Sequence, residues 1–135
     1  MFQIDDMQVL VSQANLKSPL SNSNLKKIIV ELNALENKEY KNCHFLLLDA
    51  RAVAGINHLK ACIHYGLQAF KQKNNLAKTI NAEILVYLSG YRQISRAIEL
   101  VGLNDTSKEI IFVVISPNLK NCSDFNLTPS LIRYR

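Results

Sequence analysis

Two short apolar runs constrain the fold more than any other feature of this sequence. Residues 109–116 read Glu-Ile-Ile-Phe-Val-Val-Ile-Ser, and residues 44–49 read His-Phe-Leu-Leu-Leu-Asp. Because neighbouring side chains of a strand lie on opposite faces of a sheet, continuous runs of this kind predict strands that are covered on both faces. We therefore expect a small sheet with helices packed on both of its faces.

Four segments predict those helices. Apolar residues recur at helical spacing in residues 25–36, 55–72, 80–89 and 92–101. Asn22 or Ser23 is expected to cap the first helix, and Thr79 the third. Gly90 is expected to end the third helix, since glycine readily adopts the left-handed conformation found after helices.

The order of these segments predicts an α/β chain of the α+β kind, with a small mixed or mainly antiparallel sheet. The three consecutive helices at about 55–102 are too many for one right-handed crossover, so we expect them to form an added helical lobe. Residues 2–11 change phase at Asp5-Asp6, which predicts a bulge or a tight turn. Residues 131–134 could add a short strand. No linker or repeat interrupts residues 1–135, so we expect a single domain.

The net charge of +5 is concentrated in the middle third of the chain. Residues 56–98 carry six bases and one acid, Glu83, whereas the regions on either side are balanced. A surface of one sign raises the local concentration of polyanions, which makes this region a candidate RNA site. An ordinary solvated surface is the alternative interpretation of so modest a patch. The six bases are Lys60, Lys71, Lys73, Lys78, Arg92 and Arg96.

The sequence contains no recognisable catalytic motif. Phosphate-binding loops, dinucleotide fingerprints and nucleophile elbows are all absent from it. His58 and Cys62 share one helix face, but no third ligand is near them in sequence, so we expect no metal and no other cofactor. Glu83 lies on an otherwise apolar helix, where a salt bridge to Lys78 or Arg92 would explain it. We therefore expect a binding protein and not an enzyme.

The cysteines indicate a reducing environment. Cys43, Cys62 and Cys122 are odd in number and far apart, which favours neither a disulfide scaffold nor a zinc knuckle. The first residues lack the basic start and apolar stretch of a signal peptide. These features predict a cytoplasmic protein with no membrane span.

Residues 78–102 contain a pattern that resembles a known family. The block Ser-Gly-Tyr-Arg-Gln-Ile, preceded by Glu-Ile-Leu and followed by Ala-Ile and a later Gly, is similar to the small KEOPS subunits, the TPRKB-like proteins of archaea and eukaryotes. The preceding helix at 55–70 also resembles that family. The resemblance covers about residues 43–116.

This resemblance implies a non-catalytic subunit of the KEOPS complex, which makes threonylcarbamoyladenosine in tRNA. Subunits of this family bind the kinase-like ATPase subunit, and archaeal members help to recruit tRNA through its 3′ CCA end. Lys78, Arg92 and Gln93 fall in the matching block and also in the basic region. Tyr91 is the better candidate for stacking on an unpaired base, whereas core packing is expected for Tyr65 and Tyr87, with stacking as the alternative. The candidate tRNA-binding residues are Lys60, Lys71, Lys73, Lys78, Tyr91, Arg92, Gln93 and Arg96.

A partner surface is expected on the third and fourth helices, because they carry more apolar residues than one inward face needs. The helix at 25–36 is expected to use its apolar stripe for the core. The further C-terminal helix of the family has no counterpart before Arg135, so either the docking surface is reduced or other helices supply the contact. Basic residues are expected at the rim. A homodimer, or a protein-interaction module that binds no RNA, is the alternative. The candidate partner-binding residues are Ile84, Leu88, Ile98 and Leu100.

Overall fold

One antiparallel sheet organises the part of the chain that the computed structural model describes, which is residues 1–16, 18, 21–38 and 42–119. The strand order is β1-β2-β4-β3, and each neighbouring pair is antiparallel. The predicted α+β class is confirmed. The short strand considered at 131–134 and Cys122 lie outside the described residues. In chain order the elements are β1 (Phe2–Ile4), β2 (Met7–Asn15), α1 (Asn22–Lys38), β3 (His44–Asp49), a 3-10 turn (Ala50–Ala52), α2 (Ile56–Lys71), α3 (Ile80–Ser89), α4 (Ile94–Val101) and β4 (Glu109–Ser116).

The inner strand β4 divides the core into two layers. Ile110, Phe112 and Val114 pack with residues of α1 on one face of the sheet. Val113 and Ile115 pack with residues of α2 and α3 on the other face. All five side chains are buried. The apolar run at 109–116 therefore does form a strand that is covered on both faces, as predicted from the alternation of side chains along a strand.

The N-terminal segment forms a hairpin. β1 and β2 pair in a register that places Ile4 opposite Met7, so Asp5 and Asp6 form the turn. Asp5 has a φ of 54°, in the left-handed region that aspartate tolerates better than most residues. The tight turn predicted at these two residues is confirmed.

The beginning of α1 corrects one detail of the sequence prediction. The Ser21 hydroxyl accepts a hydrogen bond from the backbone N–H of Asn24 at 3.3 Å. This three-residue spacing is that of an N-cap. The predicted caps, Asn22 and Ser23, are instead part of the first turn, because the helix begins at Asn22.

α3 has the ends that the sequence predicts, and it lies beside the edge strand β3. The Thr79 hydroxyl accepts a hydrogen bond from the N–H of Ala82, and Gly90 follows the helix with a φ of 74°. The Asn81 side chain donates to the carbonyl oxygen of Phe45 at 2.7 Å. This bond satisfies a backbone group that an edge strand otherwise exposes. The predicted helical lobe is thus continuous with the sheet: α2 covers a face, and α3 covers an edge.

α2 and α3 are in close contact at Gly66. A Cβ atom built on Gly66 would lie 2.6 Å from Cγ1 of Ile84, which is closer than real Cβ contacts come. Ile84 is completely buried and packs in the same core cluster as Ile63 and Leu67 of α2. Glycine at position 66 therefore sets the distance between the two helices.

The change Gly66→Ala tests this contact. We expect it to lower the free energy of unfolding by about 1–2 kcal/mol, because overpacking costs ~1–3 kcal/mol and the better helix propensity of alanine returns up to ~1. Urea denaturation followed by circular dichroism measures this loss. In an Ile84→Ala background the same change should cost nothing or be favourable, and an equal cost in both backgrounds would contradict the close contact.

Candidate functional site

The structure separates the four predicted partner-binding residues into two pairs. Ile98 and Leu100 on α4 are about half exposed, at 48% and 50%. Ile84 and Leu88 on α3 are buried in the core cluster that joins α2, α3 and the sheet. The expectation that Ile84 and Leu88 lie on a contact surface is therefore wrong. Helical periodicity identified them as apolar, but it could not show that α2 covers them.

An apolar groove runs between α1, the edge strand β3 and the α3–α4 pair. Its walls include Ile29 of α1, Leu47 of β3, Leu85 of α3 and Ile98 of α4. We call this depression the apolar groove. In the described part of the chain no charged residue lines it. Ile29 is 50% exposed, so α1 does not use all of its apolar residues for the core, contrary to expectation. Two neighbouring apolar residues, Ile28 and Ile29, indicate that the apolar stripe of α1 is wider than the face that packs on the sheet.

Ile98 and Leu100 do not share a surface. Successive residues of an α-helix turn by about 100°, so two positions separate their side chains by about 200°. Ala97 and Val101 are the buried residues of α4, and Ile98 and Leu100 flank them on opposite sides. Ile98 lines the apolar groove, whereas Leu100 faces away from it.

Two of the predicted tRNA-binding lysines lie against the N-terminal hairpin. The ammonium group of Lys60 lies 4.6 Å from the centre of the Phe2 ring. Lys71 Nζ lies 3.5 Å from Asp6 Oδ1. The hairpin turn at Asp5 and Asp6 belongs to a part of the sequence in which the charges balance. The fold nevertheless brings the Asp6 carboxylate to the side of α2 that carries Lys71. An exposed ion pair of this kind contributes only ~0–1 kcal/mol to stability, but it offsets the local positive charge.

A second carboxylate of this turn contacts the same face of α2. Asp5 Oδ2 lies 3.1 Å from both Gln68 Nε2 and His64 Nδ1. The hydrogen bond from Gln68, with a smaller contribution from His64, lowers the pKa of Asp5 below its ordinary value. The hairpin turn is therefore anchored to α2 by polar contacts from an ionised carboxylate.

The other predicted tRNA-binding residues are exposed around the α2–α3 and α3–α4 connections. Lys73 and Lys78 lie in the first connection, and Gln93 immediately precedes α4. The following residues are brought together: Arg96 lies over the Tyr91 ring at 5.2 Å, and Tyr91 lines one depression with Arg92, Tyr87 and Asn74. We call the surface formed by Tyr87, Tyr91, Arg92 and Arg96 the basic–aromatic face.

The basic–aromatic face does not rim the apolar groove. Arg96 and Ile98 are two positions apart on α4, and Leu85 and Tyr87 are two positions apart on α3. Each pair is therefore separated by about 200° around its helix. Leu85 and Ile98 line the groove, whereas Tyr87 and Arg96 lie on the other side. The tyrosines and arginines of this face therefore do not surround the groove, whereas basic residues were expected to rim the partner surface.

Glu83 is held by the backbone and not by a basic side chain. Its Oε1 accepts hydrogen bonds from the N–H groups of Leu76 at 2.9 Å and Ala77 at 2.7 Å, and the residue is 1% exposed. The predicted salt bridge to Lys78 or Arg92 is therefore wrong. A buried carboxylate that accepts two backbone N–H bonds is satisfied, and here it fixes the connection that leads into α3.

Tyr65 and Tyr87 are surface residues. Their exposed fractions are 53% and 40%, so the expectation of core packing is wrong for both. The two rings lie 5.7 Å apart with an angle of 36° between their planes. Each tyrosine is next to a buried residue in sequence, and no sequence pattern distinguishes a half-buried ring from an exposed one.

The surroundings of Cys62 and His58 in α2 indicate structural roles. Burial raises the pKa of the Cys62 thiol, which keeps it protonated and weakly nucleophilic. His58 Nδ1 accepts a hydrogen bond from the backbone N–H of Ala54 at 3.1 Å. Among the described residues, no group of three or more His, Cys, Asp or Glu side chains is placed to hold a metal ion.

Comparison with known proteins identifies the family. A family model described as kinase binding protein CGI-121 matches residues 12–133, which is most of the chain. The chain belongs to this family. This confirms the family resemblance predicted from the sequence. KEOPS complex subunit Cgi121 of Pyrococcus abyssi (strain GE5 / Orsay) is 37% identical to this chain over 59 residues. That match covers 44% of this chain and 34% of the relative, so the chain spans about a third of the length of the curated protein that it matches.

None of the helices in the described ranges combines the length and the apolar content that a bilayer span requires.

The carboxyl group of Asp49 has a strongly lowered pKa, and its surroundings explain the shift. Arg51 donates to it through its guanidinium, at 2.7 Å for the shortest bond, and the Ser107 hydroxyl donates at 2.8 Å. The hydrogen bonds from Arg51, followed by the bond from Ser107, lower the pKa of Asp49 to about 2. This ionised carboxylate joins the end of β3 to the loop before β4, and it is a structural group.

The pH dependence of stability tests this network. Because the pKa of Asp49 is lower in the folded chain, its contribution is present above about pH 4 and is lost as the pH falls toward 2. We expect a contribution of about 2–3 kcal/mol at pH 7. Urea denaturation of the wild type and of Asp49→Asn, compared at pH 7, 4 and 2.5, measures it. The difference between them should shrink over this range, and a constant difference would contradict the assignment.

Proposed function

We propose that this chain is a non-catalytic subunit of a KEOPS-type complex that binds the kinase-like ATPase subunit and helps to recruit tRNA in the cytoplasm. The proposal rests on membership of the kinase binding protein CGI-121 family over residues 12–133. The KEOPS assignment comes from the Pyrococcus relative, whose name places it in that complex. Threonylcarbamoyladenosine formation is the reaction to which such a subunit contributes.

The apolar groove is the surface we propose for the kinase-like subunit. Ile29 and Ile98, each about half exposed, lie on facing walls of this groove. An aliphatic depression with no charged lining residue is typical of the central part of a protein interface, where charged groups are depleted.

Substitution of Ile98 tests this docking surface. Ile98→Glu should weaken binding of the kinase-like subunit at least 10-fold, about 1.4 kcal/mol, because central interface residues typically cost ~1–2 kcal/mol or more when removed. Leu100→Glu is the matched control: it lies on the same helix with the same exposure, but on the opposite flank. Affinity is measured by calorimetry after thermal melts show that both variants fold.

Two results would contradict the proposed dock. One is loss of binding in Leu100→Glu alone, which would move the contact to the other flank of α4. The other is wild-type binding by both variants, which would leave the groove without this role.

We propose the basic–aromatic face for tRNA. Arg92 and Arg96 are exposed there, and Lys73 and Lys78 extend the positive charge along the α2–α3 connection. Phosphate contacts by such residues release counterions, so affinity should fall steeply as salt is added. Lys60 and Lys71 make a smaller contribution in this account, because they already contact the N-terminal hairpin.

Charge reversal tests the location of the tRNA site. Arg92→Glu combined with Lys78→Glu should weaken tRNA binding and lower the salt slope by about 1 for each phosphate that the protein no longer neutralises. Lys26→Glu combined with Lys27→Glu changes the net charge equally, but on exposed positions of α1. Fluorescence anisotropy at several salt concentrations distinguishes the two variants. Equal losses would mean that only net charge matters. No loss in either would contradict the proposed location of the tRNA site, whereas a wild type that does not bind tRNA would favour an interaction module that binds no RNA.

Comparison of intact tRNA with tRNA that lacks its 3′ end tests which part of the tRNA is bound. If the face holds an unpaired tail, tRNA that lacks its 3′ CCA should bind more weakly than intact tRNA in the same assay. Equal affinities would show that the duplex backbone alone is recognised.

A further inference from the structure

We propose that Tyr65 and Tyr87 form a stacking platform for unpaired nucleotide bases, continuous with the basic–aromatic face. This inference rests on the proposed function, because it assigns a ligand class to a neighbouring part of the tRNA surface. It adds Tyr65 to that surface and gives Tyr87 a specific role in it.

The platform is an exposed and well-supported aromatic pair. The Tyr65 and Tyr87 rings lie 5.7 Å apart, and the His64 ring lies 5.8 Å from Tyr65. Tyr65 precedes Gly66, and Tyr87 lies about one turn after Ile84, so both rings flank the close contact of α2 and α3. A ring held by such a contact loses little freedom when a ligand stacks on it.

Polar amides border the rings on one side. Tyr65, Tyr87 and His64 line a depression together with Gln68, Gln72 and Asn74. Asn74 Nδ2 lies 3.5 Å from Gln72 Oε1, so these two exposed amides are side by side. Amide groups can donate to and accept from base edges, whereas the rings offer faces on which any base can stack.

Cations border the rings on the other side. Tyr87 and Asn74 also line the adjacent depression, which contains Tyr91 and Arg92. The two depressions therefore adjoin at these two residues. The buried Glu83 also lines the second depression, and Arg96 lies near it, with its guanidinium over the Tyr91 ring. A series of aromatic rings that leads to arginines is the arrangement with which proteins hold single strands: bases stack on the rings and phosphates contact the cations.

The chemistry of this surface favours a nucleic acid over a protein. The apolar groove on the other side of α3 is lined by aliphatic side chains such as Ile29 and Leu85, as expected of a protein contact. The depression at Tyr65 and Tyr87 is instead bordered by amides and an imidazole, and Ala69 is its aliphatic residue. Each side of α3 thus presents a different surface chemistry.

Replacement of the rings tests the platform. Tyr65→Leu and Tyr87→Leu keep an apolar side chain but remove the aromatic face, and Tyr65→Phe and Tyr87→Phe keep it. The probe is a fluorescein-labelled single-stranded six-nucleotide RNA, with intact tRNA measured in parallel. We expect the leucine variants to bind the single strand roughly 5-fold to 150-fold more weakly and the phenylalanine variants to bind it nearly as well as the wild type.

Intrinsic fluorescence provides a second measurement that needs no leucine variant. The chain has no tryptophan and five tyrosines, so its emission comes from tyrosine. Stacked bases should quench this emission, and the quenching should decrease in Tyr65→Phe and Tyr87→Phe.

The outcomes separate this inference from the proposed function. If the wild type binds tRNA and the leucine variants bind the single strand equally well, the platform is overturned and tRNA recruitment stands. If the wild type binds the single strand through these rings but not tRNA, the platform stands and tRNA recruitment fails. If the leucine variants bind RNA as well as the wild type does but no longer bind the kinase-like subunit, the rings are a protein contact. Equal losses in the leucine and phenylalanine variants would show that hydroxyl bonds, not stacking, hold the RNA.

Discussion

The close contact between Gly66 and Ile84 is the constraint on which both proposed surfaces depend. It brings α3 so close to α2 that a Cβ atom at position 66 would lie 2.6 Å from Cγ1 of Ile84. Glu83, one residue before Ile84, fixes the incoming connection by accepting the N–H groups of Leu76 and Ala77. The helix that separates the groove from the tyrosine platform is therefore positioned by backbone and core contacts, and its outer residues remain available for partners.

This position gives α3 and α4 two sides of different chemistry. The aliphatic side closes a groove with α1 and β3, and Asn81 attaches it to the edge of the sheet. The other side carries tyrosines and arginines around two adjoining depressions. A short helix can serve two partners in this way because residues two positions apart lie on nearly opposite sides of it. Membership of the CGI-121 family supports the first role, and the charge and aromatic content support the second.

The sequence predicted those features that depend on local chemistry or on simple periodicity. The two-sided run at 109–116 is an inner strand, Thr79 and Gly90 bound α3, and Asp5 is in a turn. The block at residues 89–94 led to the correct family. These features follow from the alternation of strand residues, from capping and from backbone preferences, which act within a few residues.

Several of the incorrect predictions depended on contacts that the order of residues along the chain does not show. Charge was counted along the chain, so the approach of Asp6 to Lys71 could not be seen. Ile84 and Ile98 are equally apolar, but α2 covers only the first. Glu83 accepts hydrogen bonds from backbone N–H groups of a loop, and no sequence pattern indicates that a loop supplies such donors. Two of the four predicted partner-binding residues, Ile84 and Leu88, are therefore buried, whereas Ile98 and Leu100 are exposed.

The central claim is that the apolar groove and the tyrosine-bearing side are separate surfaces that can be occupied together. The most direct test uses a labelled single-stranded RNA bound to this chain, to which the kinase-like subunit is added, with fluorescence anisotropy as the signal. A control titration of the same RNA with the kinase-like subunit alone removes any contribution from that protein. We predict a further rise in anisotropy as a ternary complex forms, with unchanged RNA affinity. Displacement of the RNA would contradict the account, because it would show that both ligands use one surface.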